Sequence, residues 1–171
     1  MSQIKVNSIV PAGGLAGDGG GIIQTVYNFS NTTDSTNSTT YVDVSGMSAT
    51  ITPQSSSSKI LVVFVVGNAG SSTSGRPHIY QILRGATPIG LGQNLYGGQS
   101  TFTGATGETT YMNGGWSYTI LDTPATTSAT TYKLQWKTFS NTAYINRGGS
   151  TSTGSWNSTG GSGIILMEVS G

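Results

Sequence analysis

Lys59 to Gly67 reads KILVVFVVG, and this stretch narrows the fold of the chain more than any other. Its apolar run, Ile60 to Val66, is mostly β-branched, and such side chains lose rotamer freedom in a helix but pack well on a pleated strand. The run is far shorter than the ~20 residues that a membrane-spanning helix requires. It is therefore expected to be a strand buried on both faces. A strand of that kind needs partners along its edges and a second layer against it. The other apolar residues form short blocks of the same type, rich in Ile, Val, Tyr and Trp and separated by Gly, Ser and Thr.

Composition removes the helical alternatives. Glycine accounts for 26 of the 171 residues, and each costs about 1 kcal/mol in a helix relative to alanine. Serine competes for backbone hydrogen bonds, and threonine is stiff at its first side-chain torsion. Only 8% of residues are charged, against roughly 25% in an ordinary soluble domain, so hydroxyls and amides must keep the surface wet. The same residues compose disordered linkers, but a disordered chain has no reason to gather apolar residues into strand-length blocks. The length suits one domain with a real core plus an appendage. There is no cysteine, so neither a disulfide framework nor thiol chemistry is available. The opening MSQIKVNSIV lacks the charged start and continuous apolar core of a secretion signal, which points to folding in a cytoplasm.

Along the chain, Ile4 and Val6 alternate with Lys5 and Asn7 in an extended segment that Pro11 ends, and Ala12 to Gly21 forms a hinge. Strands are expected at Gly21 to Phe29, Tyr41 to Val44, Ala49 to Ile51, Lys59 to Gly67, His78 to Leu83 and Thr87 to Leu91, with Gly85 turning the last two into a hairpin. Others follow at Trp116 to Leu121, Thr131 to Lys137, Ala143 to Arg147 and Ile164 to Val169. Thr131 to Lys137 alternates most clearly, with Tyr132, Leu134 and Trp136 on one face and Lys133, Gln135 and Lys137 on the other. Gly92 to Gly115 and Gly148 to Gly163 are too long and too glycine-rich for plain connections and read as exposed loops. About ten strands at near-regular spacing predict an all-β, jelly-roll-like antiparallel β-sandwich carrying an extended N-terminal segment.

Residues that carry chemistry are sparse. The single histidine, His78, opens an apolar strand, a setting that suits a surface or packing residue better than a general base. The six acidic residues are scattered, and nothing in the setting of Glu108 and Asp122 favours their convergence as a glycosidase pair. One histidine, no cysteine and no acidic cluster leave no metal-ligand spacing, and no glycine-rich string joins a strand to a helix as a phosphate loop does. The expectation is a protein that is not an enzyme, with no cofactor and no metal. Seven dispersed basic residues and a net charge of +1 do not build the stripe that nucleic acid requires. The loops do carry aromatics. Tyr96, Phe102, Tyr111 and Trp156 lie among glycines and threonines, placed to grip sugar rings or another protein, or to pack under their own loops or at a subunit interface.

The opening MSQIKVNSIVPAGG, the central ITPQSSSSKILV, the later ATTYKLQW, the YINR at Tyr144 to Arg147 and the closing IILMEVS together resemble short virion structural proteins of tailed bacteriophages, notably those infecting cyanobacteria and other aquatic bacteria. The resemblance spans nearly the whole chain, and its motifs are structural rather than catalytic. It implies a homotrimer, an N-terminal segment fixed to the particle and a β-rich outer domain. On this expectation residues 1–20 are anchor and hinge, and residues 21–171 are the outer domain. Ile4, Val6, Ile9 and Val10 would fix the chain to the virion, the segment adding as a strand to another virion protein or to its own copies. Tyr96, Phe102, Tyr111 and Trp156 become candidates for contact with a host surface glycan, where several weak sites gain from avidity. The expected role is a tail fibre or spike component, made in the host cytoplasm and located in the virion. The alternative is a capsid (head) decoration protein or head fibre. A lectin-like cellular domain and a hydrolase rank below both.

Overall fold

The computed structural model of the chain describes residues 21–72, 78–90, 95–97, 113–148 and 160–170. Those residues form eleven strands: β1 (Ile22–Ser30), β2 (Asp34–Thr36), β3 (Val42–Ile51), β4 (Lys59–Ser71), β5 (His78–Arg84), β6 (Thr87–Ile89), β7 (Leu95–Gly97), β8 (Asn113–Asp122), β9 (Thr130–Lys137), β10 (Ala143–Ile145) and β11 (Ser162–Val169). One sheet runs β1-β11-β4-β10-β2, with β8 also on β4. The other runs β3-β9-β5-β6, with β7 also on β5. All of these pairings are antiparallel. Since β11 and β10 occupy successive lengths of one β4 edge, β8 takes the other.

The two sheets face each other across one apolar core, as expected of an all-β sandwich. Ile60, Val62, Phe64 and Val66 of β4 and Ile164 and Leu166 of β11 meet Tyr80 and Ile82 of β5 and Leu134 and Trp136 of β9. Period-two alternation selects these residues, because successive side chains on a strand point to opposite faces. Tyr80 sits between two indoles, with ring centroids 4.8 Å from Trp116 and 6.3 Å from Trp136.

Polar side chains tie the sheets together along both flanks. On one flank Gln24 Nε2 donates to the Thr52 carbonyl (2.7 Å) and Asn28 Nδ2 to the Gly46 and Ser48 carbonyls (3.1 Å each), so β1 covers carbonyls of β3. On the other, Arg84 of β5 donates to both carboxylate oxygens of Asp122 on β8 at 2.9 Å, and the Tyr132 hydroxyl of β9 donates to the same carboxylate at 2.7 Å.

Apart from β7 (Leu95–Gly97) and the start of β8 at Asn113, which fall within the stretch Gly92 to Gly115 read as a loop, the expected strands fall on observed ones with three differences. Tyr41 to Val44 and Ala49 to Ile51 are one strand, β3, whose register shifts between Asp43 and Ser48. Gly46 makes this possible, with φ of 74° and Ser30 Cβ 2.9 Å from where its own Cβ would lie. Second, β2 lies within the polar run SNTTDSTNSTT, which has no apolar alternation to announce a strand. Backbone pairing with β10 holds it.

The third difference is a correction. β4 is not buried on both faces: Ile60, Val62, Phe64 and Val66 are buried, while Leu61, Val63 and Val65 point outward and are only half-buried. An unbroken apolar run promises cover on both sides, but among the described residues the second layer lies on one side only. The N-terminal segment and hinge, residues 1–20, lie outside the described residues.

Candidate functional site

The outward side chains of β4 belong to a face four strands wide. Cross-strand register aligns three rows across β1, β11, β4 and β8. The first is Phe29, Gly163, Val65 and Ser117; the second is Tyr27, Ile165, Val63 and Thr119. The third is Thr25, Met167, Leu61 and Leu121. Its apolar members are Phe29, Val65, Tyr27, Ile165, Val63, Met167, Leu61 and Leu121, and Lys59 at one end of β4 is the one charge facing outward on these four strands. Tyr27 is 69% exposed, Phe29 57% and Leu121 53%. Surface apolar residues are ordinarily scattered singly, so a contiguous patch of this kind is a candidate interaction surface.

Local geometry fixes the aromatic corner. The Tyr27 and Phe29 rings lie 5.7 Å apart between centroids, at 48°. Phe29 lies against its cross-strand partner Gly163, where a Cβ would come 2.2 Å from Phe29 Cδ1. Glycine at this position is what lets the ring settle onto the sheet.

The outer face of the opposite sheet has different chemistry. Gln81 donates to Gln135 Oε1 (2.6 Å), Gln135 donates to Asp43 Oδ1 (2.6 Å), and Lys133 pairs with the same carboxylate at 2.9 Å. Lys137 sits over the Tyr41 ring at 4.5 Å. The hydrogen bond from Gln135, with the nearby Lys133, holds the Asp43 carboxyl below its ordinary value. This face carries a polar and charged ladder on β3 and β9, beside Ile79, Gln81 and Leu83 of β5, which are buried; the four-strand face has no such ladder.

Ionisable groups in the interior are structural. Asp122 is engaged by Arg84 and Tyr132, as described above. Glu168 is fully buried and accepts from Gln24 Nε2 (2.6 Å) and the Gln54 backbone N–H (2.7 Å). Burial raises its carboxyl, but those hydrogen bonds outweigh burial and hold it below its ordinary value. His78 is 2% exposed, and among the described residues neither ring nitrogen has a hydrogen-bond partner. Burial pushes its imidazole down to about 4 and pushes the neighbouring Tyr80 hydroxyl up. A neutral imidazole in ring contact with Tyr80, at 6.4 Å, and buried, fits the packing rather than the surface alternative of the sequence reading. Among the described residues no cluster of three or more His, Asp or Glu side chains could hold a metal ion. Among the same residues no helix is long and apolar enough to cross a membrane.

Of the sequence-derived site residues, only Tyr96 lies among the described residues. Ile4, Val6, Ile9, Val10, Phe102, Tyr111 and Trp156 lie outside the described residues, as does Glu108. The backbone of Tyr96 pairs with Ile79 in β7. What sequence reasoning missed is the four-strand face. Its signal was the loose pattern of β1, where Ile23, Tyr27 and Phe29 share odd positions while Val26 turns inward.

No protein-family model matches the sequence, and no curated protein matches it significantly.

Proposed function

We propose that this chain is a structural subunit of a tailed-phage particle, a tail fibre or spike component held by its N-terminal segment. The observation that carries the reading is the exposed four-strand apolar face, with Tyr27, Phe29 and Leu121 each more than half exposed. A single copy in water gains nothing from that surface and risks aggregation through it, whereas a subunit of a larger body buries it. The quoted motifs that resemble phage structural proteins supply the kind of body. Residues 2–10 are the proposed anchor strand and Ala12 to Gly21 the hinge. Tyr96, Phe102, Tyr111 and Trp156 remain the proposed contacts to a host surface glycan.

The sandwich is also proposed to be a jelly roll. Supporting this are the strand orders β1-β11-β4-β8 and β3-β9-β5-β6, in which the start of the described chain pairs with its end and later strands nest inside.

Immunogold labelling of purified virions with antibodies raised against the full chain tests the assignment. Label on the tail is the expected result. Label on the head shell would replace the fibre reading with the decoration reading, and particles free of label would overturn both.

A further inference from the structure

We propose that the four-strand face is the contact between two copies of this chain, packed face to face about a two-fold axis parallel to the strands. The inference rests on reading that face as a subunit contact and names what covers it. A two-fold axis of this kind lays β1 of one copy over β8 of the other and β11 over β4, with the rows kept level. Tyr27 and Phe29 then stand over Thr119 and Ser117, and Leu121 stands over Thr25. Each bulky corner meets a small one, which is what interdigitation of two sheets about 10 Å apart requires. The match follows from the register of this chain alone.

Charge points the same way. In a three-fold ring the face would meet some other surface of the next copy, since such contacts are heterologous. The broad alternative is the opposite sheet, whose Asp43, Lys133 and Lys137 would lose water against apolar side chains with nothing to compensate them. The two-fold contact strands no carboxylate, and it leaves Lys59 at the border.

Size sets the expected strength. Four strands about 4.8 Å apart and seven residues at about 3.3 Å each give a flat footprint of roughly 440 Å² per copy. With side-chain relief the pair buries on the order of 1,000 Å² in total, the low end for specific association, so dissociation belongs in the micromolar range.

The chain has no cysteine, so introduced thiols report the contact directly. In one chain, positions 27 and 119 are separated by β11 and β4, three strand spacings or roughly 14 Å, beyond the ~7 Å that a disulfide can span. The full chain carrying Tyr27→Cys and Thr119→Cys is expected to form a linked dimer under mild oxidation. Each single variant stays unlinked alone, and the two singles link when mixed. Light scattering of the unmodified chain should approach twice the 17.6 kDa chain mass as concentration rises through the micromolar range. Val63→Glu should weaken the association at least tenfold with the β circular dichroism retained. A monomer at every concentration, a trimer mass, or single variants linking as readily as the double variant would each overturn the proposal. A monomer whose antibodies still label virions removes this inference and leaves the particle assignment standing; a dimer missing from virions does the reverse.

Discussion

His78 is the residue where burial and charge conflict most directly. Its imidazole is almost fully buried with no hydrogen-bond partner among the described residues, and its folded value of about 4 lies below the 6.5 of an exposed histidine. Between those values the unfolded chain binds the proton and the folded chain refuses it, so stability is full above pH 6.5 and falls as pH drops toward 4. The expected loss from pH 7.5 to 4.5 is roughly 2 to 3 kcal/mol. Denaturant unfolding at both pH values checks this: His78→Phe should flatten the difference by about that amount, and an equal loss in both proteins would show that His78 is not its source. Buried carboxylates such as Glu168 lose their contribution only at the acid end and do so in both proteins. Asn146 shows the opposite design. It is buried with φ of 61°, donates to the Ser30 (3.0 Å) and Thr32 (2.8 Å) carbonyls, and accepts from Ser162 Oγ (2.5 Å). A short amide side chain tolerates this left-handed backbone and repays it with local hydrogen bonds.

At the scale of elements, the junction of β5, β8 and β9 shows how a sandwich flank is closed. Asp122 accepts from both Arg84 and the hydroxyl of buried Tyr132, whereas Arg84 also reaches the Thr123 carbonyl at 3.2 Å and is partly solvated. Removing the acceptor strands a buried donor; removing the guanidinium strands much less. Asp122→Ala is therefore expected to cost at least about 1 kcal/mol more than Arg84→Ala in equilibrium unfolding. Equal costs would mean that Tyr132 does not depend on the carboxylate. Elements were legible where alternation was clean, as in β9, and where a short glycine turn separated two apolar blocks, as between β5 and β6 at Gly85, with φ of 59°. They were illegible where backbone pairing and polar side-chain contacts, such as the Ser45 N–H to Asp34 Oδ2 bond at 3.1 Å, supplied the stability. β2 has no apolar face to read, and the continuity of β3 depends on Ser30 packing against Gly46 from a different strand.

For the whole molecule, the decisive property is the asymmetry between its two outer faces. One carries the Asp43, Lys133 and Lys137 ladder, and the other has three level rows of mostly apolar side chains. The proposed association through the second face is hydrophobic, and among the described residues of its four strands Lys59 is the one outward charge, so screening has little to act on. Sedimentation at roughly 50 mM and 500 mM salt, where the Debye length falls severalfold, should give dissociation constants within about threefold of each other. A tenfold weakening at the higher salt would place the contact on charged groups instead. The aromatic loop residues and the N-terminal segment belong to this scale as well, because their proposed partners are other molecules.

The amino-acid sequence by itself determined that this chain is built of strands. Glycine, serine and threonine weaken helices, β-branched blocks favour pleated backbone, and alternation chooses which side chains turn inward, all of which act within a few residues. Only the tertiary structure decided which sheet face is left uncovered. In β4 every residue from Ile60 to Val66 is apolar, so no local pattern separates the inward set from the outward one. That distinction comes from where the second sheet lies, and pairing between strands far apart in the chain decides it.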